Sequence, residues 1–258
     1  MLSLIYLCCY LDRANLGNAK IANLEKDLNL GPGIFNLAGS IFYIGYCLGE
    51  IPTNLVLKRV GPKLWLTLVM GAWGGVSMCM AAITNGAGLL ATRFFLGLTE
   101  SGFAPTPIFL ISLWYPRREH ALRAGIFFSM STVAGAFGGL LAYGISHLQG
   151  VGGLRAWQWI FLLEGLFTIV CCIVVYLVLP DFPETSTFLS PTEKDLNIKR
   201  LRFDAGPATS TAFSWPQFWA AFKDWKVSVM MFFSFLHSAA FASIGLFAPS
   251  ITLGFGYE

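Results

Sequence analysis

The sequence predicts an all-α membrane protein, and its composition, its long apolar segments and the distribution of its basic residues each point to that class. Of 258 residues, 55% are hydrophobic and only 12% are charged, about half of the roughly 25% usual in a soluble domain. A water-soluble globule of this size needs more polar surface than these residues supply. The composition therefore excludes a soluble enzyme, a nucleic-acid-binding protein and a disordered chain.

Seven apolar segments are long enough to cross a bilayer as helices, because a hydrocarbon core about 30 Å thick needs roughly 20 helical residues. These segments are residues 1–22, 37–57, 64–84, 87–114, 124–147, 157–179 and 226–253. The first is the least regular, since Asp12 and Arg13 interrupt it. It lacks the basic start and the small-residue cleavage site of a signal peptide, so we expect it to be a membrane helix.

The basic residues between the segments predict the orientation of the chain. Twelve of the 17 Lys and Arg residues follow segments two, four and six, whereas the other loops hold only Lys20, Lys26 and Arg155. Loops rich in Lys and Arg remain on the cytoplasmic side of a membrane. The amino terminus is therefore expected in the cytoplasm and, after seven crossings, the carboxyl terminus on the opposite side.

Composition also divides the chain into three parts. Residues 1–180 hold six apolar segments, residues 181–225 are rich in Pro, Ser, Thr and charge, and residues 226–258 hold the seventh segment. We therefore expect a six-helix transmembrane bundle, a cytoplasmic linker and one further membrane helix.

Two short helices are predicted in the linker. Ser190, Pro191 and Glu193 are typical of a helix start, with a capping residue, a first-turn proline and an acid that can complete a capping box. Aromatic residues recur at spacings of three and four between Trp215 and Trp225. That pattern favours a helix in the membrane interface, or simply an anchor for segment seven.

Six Asp, Glu and Arg residues lie inside the apolar segments, where a central Asp, Lys or Arg that faces lipid costs about 2.5 to 3.5 kcal/mol. They are Asp12, Arg13, Glu50, Arg93, Glu100 and Glu164. They are expected to face protein or a water-filled cavity, which favours a polar pathway through the bundle. An ion-paired structural network is the alternative. The consecutive Asp12 and Arg13 diverge by about 100° and are expected to meet different neighbours.

Arg93 and Glu100 form the most specific pattern. Seven residues at about 100° per residue place the two side chains within about 20° of each other, so both are expected to face one open space beside Gly97. An arginine can hold a carboxylate by paired hydrogen bonds, and a poorly solvated glutamate can exchange a proton. The pattern favours an anion site beside a proton site, although structural ion pairing remains possible from spacing alone.

The remaining polar groups in the segments are weaker candidates. Glu50 and Asn54 share one helix face and predict either a gate or a helix contact. Glu164 is interpreted as a structural group at a helix contact or near the cytoplasmic linker, with a gate as the alternative. His237 is interpreted as hydrogen-bonded to a neighbour, with proton transfer as the alternative.

The sequence contains no pattern for chemistry on a bound substrate. It has no phosphate-binding loop, no cluster of metal ligands and no nucleophile with a general-base partner. The six cysteines lie in apolar runs without a CxxC pair and are interpreted as packing residues. We therefore expect no enzyme activity, no cofactor and no metal.

Six stretches, in order and over practically the whole chain, carry a family resemblance. They are LDRANLGNAKI (11–21), EIPTNLVLKRVGPKLW (50–65), RFFLGLTESGFAPTPIFLISLWYPRRE (93–119), WQWIFLLEGLFTI (157–169), PDFPETSTFLSPTEKD (180–195) and LFAPSITLGFGY (246–257). They resemble the anion:cation symporter family of the major facilitator superfamily, and most closely its fungal allantoate permease branch.

The resemblance implies roles for four residues. In related bacterial sugar-acid symporters and vesicular glutamate carriers, a first-helix arginine before Asn-Leu-Gly and a fourth-helix Arg-x6-Glu take part in anion binding and proton coupling. Arg13, Arg93 and Glu100 match these positions, and Asp12 matches the acidic partner of the proton symporters. By this resemblance the two arginines would bind the substrate carboxylate, while the two acids would exchange protons.

Two motifs depart from the pattern of the superfamily. Asn54 and Lys58 replace the glycine and aspartate of the loop motif after helix two, so a gating charge pair that uses this aspartate is not expected. The proline-containing glycine motif associated with antiporters is absent from segment five, where Gly135, Gly138 and Gly139 occur without proline. Its absence favours symport.

Length is the largest departure, because family members have two six-helix bundles with the substrate between them. By the resemblance, residues 226–258 would begin an incomplete second bundle, as in a truncated gene model or a natural short form. We expect the amino-terminal portion of a proton-coupled plasma-membrane importer of a small organic anion of the allantoate, nicotinate or pantothenate type, unable to transport alone.

Two other functions fit parts of the pattern. A carrier-derived membrane sensor or partner would bind a ligand without transporting it. A seven-helix receptor has the right number of helices, but such receptors place the amino terminus outside the cell, against the loop charges.

The predicted orientation can be tested with glycosylation tags at the two ends of the chain. A tag at the carboxyl terminus should be glycosylated in cells, and a tag at the amino terminus should not. Modification of the amino-terminal tag alone would contradict the orientation and favour the receptor.

Overall fold

The described part of the chain is helical and contains no strand. The computed structural model describes residues 1–180, 182–183, 186, 188–205 and 215–255. Its α-helices are α1 (Leu2–Ile21), α2 (Leu24–Asp27), α3 (Ile34–Val60), α4 (Pro62–Met80), α5 (Gly86–Glu100), α6 (Pro105–Trp114), α7 (Arg117–Ser146), α8 (Ala156–Val178), α9 (Pro191–Ala205), α10 (Trp215–Lys223) and α11 (Trp225–Gly254). A helix or helix pair covers each of the seven predicted segments, so the predicted all-α fold is confirmed.

Four of the described stretches are long and apolar enough to cross a membrane. They are Ile34–Leu57, Gly86–Trp114, Arg117–Ser146 and Ala156–Val178. α1 is more polar than these helices, because it carries Asp12, Arg13, Asn15 and Asn18. Its polar residues are covered by the bundle instead of by lipid, since Asp12, Asn15 and Asn18 are all buried.

The fourth predicted segment is two helices rather than one. α5 ends at Glu100 and α6 begins at Pro105, because a proline lacks the N–H and clashes with the carbonyl four residues earlier. The break frees the carbonyl of Gly102, which accepts hydrogen bonds from Trp65 Nε1 at 3.1 Å and Thr106 Oγ1 at 2.9 Å. Glu100 therefore occupies the last position of α5, beside a break whose backbone is hydrogen-bonded by side chains.

α1 is the central helix of the described bundle. It contacts α2, α7, α8 and α11, while α3 packs against α5 and α4 packs against α8. The largest fully buried side chains are Trp73 on α4, Trp157 and Phe161 on α8, and Phe103 between α5 and α6. Side chains of α1 can consequently reach several helices at once.

Glycines bring the backbones of α3 and α5 into direct contact. A Cβ on Gly45 would meet the carbonyl oxygen of Phe94, and one on Gly97 would meet that of Phe42, both inside the 3.0 Å limit that real Cβ atoms respect. Small residues commonly permit such close approach between membrane helices. Gly97 therefore faces α3, and the prediction of an open space beside it is wrong.

The linker contains both predicted short helices, α9 and α10. At the start of α9 the Ser190 backbone N–H and hydroxyl donate to Glu193 Oε2 at 2.8 and 2.7 Å, and these bonds hold the pKa of Glu193 below its usual value. Arg200 on α9 forms an ion pair with Glu119 at the start of α7. Residues 206–214 lie outside the described part, and the division into bundle, linker and further bundle remains a prediction.

The contact between α3 and α5 predicts a position-specific effect of adding one methyl group. Gly97→Ala should destabilise the protein by about 1 to 3 kcal/mol, because overpacking forces the two backbones apart. Gly75→Ala on α4 is the matched control, since a Cβ there would meet nothing within 4 Å. Thermal unfolding of the purified protein in detergent measures both. Equal melting temperatures for the two variants would contradict the direct backbone contact.

Candidate functional site

Five ionisable side chains from α1, α5 and α8 form a buried charge cluster. Asp12, Arg93, Glu100 and Glu164 are between 1% and 7% exposed, and the side chain of Arg13 is 26% exposed. Burying an ion costs several kcal/mol unless the geometry of its partners compensates. The ion pairs and hydrogen bonds of each charged group therefore indicate which groups are fully compensated and which have capacity to bind a proton or an ion.

Glu100 is paired with Arg13 on α1 and not with Arg93 on its own helix. Arg13 Nε lies 2.7 Å from Glu100 Oε1, and the thiol of Cys9 donates to the same oxygen at 2.7 Å. The second carboxylate oxygen, Oε2, is buried without a hydrogen-bond partner. Glu100 is thus compensated on one oxygen only, and the other is available to bind a proton.

Aromatic rings surround the guanidinium of Arg13. Its central carbon lies 5.5 Å from the ring centre of Tyr10, 5.6 Å from that of Phe42 and 5.2 Å from that of Tyr46. Cations are attracted to ring faces at such distances. Arg13 is therefore held by aromatic ring faces as well as by Glu100. It is also the one member of the cluster with a partly exposed side chain.

Asp12 is surrounded by donors from two other helices. Ser77 Oγ lies 3.0 Å from its Oδ1, and Trp73 Nε1 and Thr168 Oγ1 lie 3.1 and 3.5 Å from its Oδ2. An indole N–H can only donate, so this arrangement favours the ionised carboxylate. Asp12 points to α4 and α8 while Arg13 points to α5, as the divergence of 100° between consecutive residues predicts.

Arg93 is a buried cation with little compensation. It is 2% exposed, and its Nε and Nη2 have no hydrogen-bond partner. No ion pair of Arg93 within 4 Å occurs among the described residues, and its guanidinium carbon lies 5.7 Å from the ring centre of Phe161. A guanidinium stays charged in proteins, so the site is electrostatically suited to a negatively charged occupant.

Glu164 has a polar partner on α1. Asn15 Nδ2 donates to its Oε2 at 2.7 Å. The other oxygen of each side chain, Glu164 Oε1 and Asn15 Oδ1, is buried without a partner. The contact joins α1 to α8, in line with the interpretation of Glu164 as a group at a helix contact, but half of its hydrogen-bonding capacity is unused.

Glu50, Asn54 and His237 lie outside the buried charge cluster. Glu50 is exposed on α3 and, with Lys226, lines a cleft of about 880 Å³ between α3 and α11. Asn54 Nδ2 donates to the backbone oxygen of Glu50 at 2.9 Å, a contact within one helix. His237 is exposed on α11. The described hydrogen bonds and ion pairs therefore do not join Glu50 or Asn54 to the charged groups of α1, α5 and α8.

Several groups that hold the cluster were missed in the sequence. Cys9 was interpreted as a packing residue, yet it donates a hydrogen bond to Glu100. Its spacing of four residues from Arg13 places both on one helix face, and this signal could have been used. Ser77 and Thr168 contact Asp12 across 65 and 156 residues, and no local spacing indicates such contacts.

Metal ligands are not grouped in the part of the chain that the structure describes, where no cluster of three or more His, Cys, Asp or Glu side chains could hold an ion. The described cysteines are all free thiols.

Comparison with known proteins identifies the family. Residues 2–258 match the family model of the Major Facilitator Superfamily. The chain belongs to this superfamily. It is 36% identical to "MFS transporter prlL" of Fungal sp. (strain NRRL 50135), over 98% of this chain and 52% of that protein. It is 32% identical to the "Putative tartrate transporter" of Agrobacterium vitis, over 98% of this chain and 58% of that protein.

A solved structure of the superfamily shows the same fold. It is a bacterial homologue of the human lysosomal transporter Spinster in an inward-facing, unoccupied conformation, with a TM-score of 0.66 and 21% identity over 80% of this chain and 48% of that chain. The chain spans about half the length of the curated relatives that it matches.

The superfamily predicted from the resemblance is confirmed, while the allantoate permease branch stays a prediction. The chain is a multi-pass membrane protein and not an enzyme, since its relatives are named as transporters. The match also argues against the seven-helix receptor.

The pairing of Arg13 with Glu100 predicts a strong energetic coupling. Arg13→Gln alone should cost about 3 kcal/mol, because it leaves a buried carboxylate without its cation. Adding Glu100→Gln removes that charge and should recover part of the loss. The exposed pair Lys20 and Glu25, at 3.6 Å, is the control, with an expected coupling below about 1 kcal/mol. Unfolding of single and double variants in detergent measures the two cycles, and equal couplings would refute the special role of the buried pair.

Proposed function

We propose that the full-length protein is a proton-coupled symporter that imports a small organic anion, and that Arg93 binds the carboxylate of this anion. One observation carries the proposal: a guanidinium that is 2% exposed has two nitrogens without any hydrogen-bond partner. Such a group is costly unless an anion occupies the site for part of the transport cycle.

The two unpartnered nitrogens suit a carboxylate in particular. Nε and Nη2 lie on the same edge of the planar guanidinium and can donate two parallel hydrogen bonds to the two oxygens of one carboxylate. The relative from Agrobacterium vitis is named as a putative tartrate transporter, and tartrate carries carboxylates. Carboxylates of the tartrate, allantoate, nicotinate or pantothenate type are therefore the proposed substrates.

Charge balance links anion binding to proton binding. With Glu164 neutral, Arg13 and Arg93 are balanced by the ionised forms of Asp12 and Glu100. An anion that enters the cluster then adds an uncompensated negative charge. Protonation of one carboxylate removes that charge. In this conformation Glu100 has one oxygen, Oε2, without a hydrogen-bond partner, whereas both oxygens of Asp12 accept hydrogen bonds. Asp12 is proposed to exchange its proton in a conformation that separates it from these donors.

Helix movement must open the cluster to the substrate. Among the five residues of the buried charge cluster, only Arg13 has a substantially exposed side chain in the described conformation. An anion would therefore first meet the guanidinium of Arg13 and then pass to Arg93. Transporters of this kind expose a central site alternately to each side by moving one repeat against the other. Because the chain spans about half the length of its curated relatives, transport is proposed for the full-length protein, in the plasma membrane and with a cytoplasmic amino terminus.

Substitutions at Arg93 and Glu100 should separate binding from coupling. Arg93→Gln in the full-length protein should lower the apparent affinity for tartrate at least about 30-fold, because a buried charge pair typically contributes about 2 kcal/mol or more. Glu100→Gln should retain exchange of tartrate across the membrane but lose accumulation driven by an inward proton gradient. Uptake and exchange of labelled tartrate in proteoliposomes measure these effects, with nicotinate and pantothenate assayed in parallel.

Lys20→Gln is the matched control, since Lys20 lies outside the cluster in a partly exposed ion pair, and it should leave uptake unchanged. Unchanged proton-driven accumulation in both the Arg93 and the Glu100 variants would refute the proposed site.

A further inference from the structure

We propose that Glu164 and Asn15 form an additional proton-binding site, in which the acid of Glu164 donates its proton to the amide oxygen of Asn15. The site is separate from the Arg13–Glu100 pair and joins α8 to α1. It extends the proposed proton coupling, but it is defined by its own hydrogen bonds and does not require that coupling.

Two buried oxygens without partners define the site. Asn15 is 1% exposed and Glu164 is 7% exposed. The only hydrogen bond between them among the described contacts runs from Asn15 Nδ2 to Glu164 Oε2, at 2.7 Å. Asn15 Oδ1 and Glu164 Oε1 have no partner. Each buried acceptor without a donor costs about 1 to 3 kcal/mol, so the arrangement lacks one donor.

A single proton satisfies both oxygens. An ionised carboxylate can only accept hydrogen bonds, whereas a protonated one also has an O–H donor. With the proton on Oε1, the acid can donate to Asn15 Oδ1 while Oε2 continues to accept from Asn15 Nδ2. The result is a cyclic acid–amide pair with two hydrogen bonds. Without the proton, Asn15 Oδ1 and Glu164 Oε1 are two buried acceptors without a hydrogen-bond donor.

The surrounding charges also place the proton on Glu164. Asp12 lies about one turn from Asn15 on α1 and contacts Thr168, about one turn from Glu164 on α8. The two carboxyl groups are therefore near each other, and nearby carboxylates disfavour simultaneous ionisation. Asp12 accepts hydrogen bonds from Trp73, Ser77 and Thr168, whereas Glu164 accepts one. Asp12 is therefore the better carboxylate and Glu164 the better acid.

The helices that pack on α8 supply no ion-pair partner for Glu164 among the described residues. α4 carries no acidic or basic residue between 64 and 80, and α7 carries none between 124 and 146. Arg93 on α5 lies over the ring of Phe161, and Glu164 forms no ion pair with it within 4 Å among the described residues. With Glu164 neutral, two arginines face two carboxylates, Asp12 and Glu100, and the buried charge cluster is balanced.

Infrared spectroscopy of the full-length protein in lipid nanodiscs tests the site directly. The wild type should show a carbonyl stretching band of a protonated carboxyl group that moves to lower wavenumber in D2O and disappears in Glu164→Gln. The glutamine is isosteric with the neutral acid and can pair with the Asn15 amide, so this variant should keep its fold. Glu50→Gln, at an exposed position on α3, is the matched control and should retain the band.

A second variant keeps Glu164 and tests the partner. Asn15→Leu removes the hydrogen bond to Glu164 Oε2, so the carbonyl band should move to higher wavenumber. Identical spectra of wild type and Glu164→Gln, at both neutral and mildly acidic pH, would show an ionised Glu164 and overturn the proposal. So would a band that appears in choline chloride and vanishes in sodium chloride, because sodium would then be the occupant.

The infrared band distinguishes this site from the proposed function. A Glu164 band in a protein that does not carry organic anions would support the site and refute the symport mechanism. Proton-driven uptake of organic anions by a protein without the Glu164 band would support the symport mechanism and refute the Glu164–Asn15 site.

Discussion

Charge buried within a membrane must be compensated by the protein itself, because neither lipid nor bulk water is available to solvate it. In this bundle the side chains of α1 make most of the polar contacts that compensate the buried charges. Asp12 points to donors on α4 and α8, Arg13 to Glu100 on α5, and Asn15 to Glu164 on α8. Removing Arg13 leaves the buried carboxylate of Glu100 without its cation, and removing Asn15 leaves Glu164 Oε2 without its donor. The depth and rotation of α1 are thus set by polar contacts, while the surrounding helices are positioned mainly by apolar packing.

Compensation within the buried charge cluster is unequal, and under the proposed function this inequality separates structural groups from groups that bind a proton or an anion. Both oxygens of Asp12 accept hydrogen bonds, as expected of a group that fixes the fold in this conformation. Glu100 and Glu164 each have one oxygen without a partner, and Arg93 has two such nitrogens. A protein selected only for stability would replace the last three with apolar side chains at little cost. Their presence is best understood if a proton or an anion completes them.

The sequence predicts the helices well because a bilayer imposes a minimum length on each apolar run. It also places Arg93 and Glu100 on one side of their helix, since helical geometry fixes the angle between them. It does not predict that Glu100 pairs with Arg13, 87 residues away, because that contact depends on how α1 packs in the bundle. The orientation of Gly97 toward α3 and the hydrogen bond from Cys9 are missed for the same reason. Pro105 is visible in the sequence, but the effect of the break on Glu100 becomes clear only when its neighbours are known.

The glycine contact between α3 and α5 has a mechanical consequence. With no side chains between the two backbones at Gly45 and Gly97, these helices have little freedom to slide and should travel as one rigid body. Displacement of α1 relative to that body would then be absorbed by the two short bonds from Arg13 and Cys9 to Glu100. In the proposed symporter, a proton that weakens these bonds would release α1, and displacement of α1 would make room for the proton, so that helix position and protonation change together.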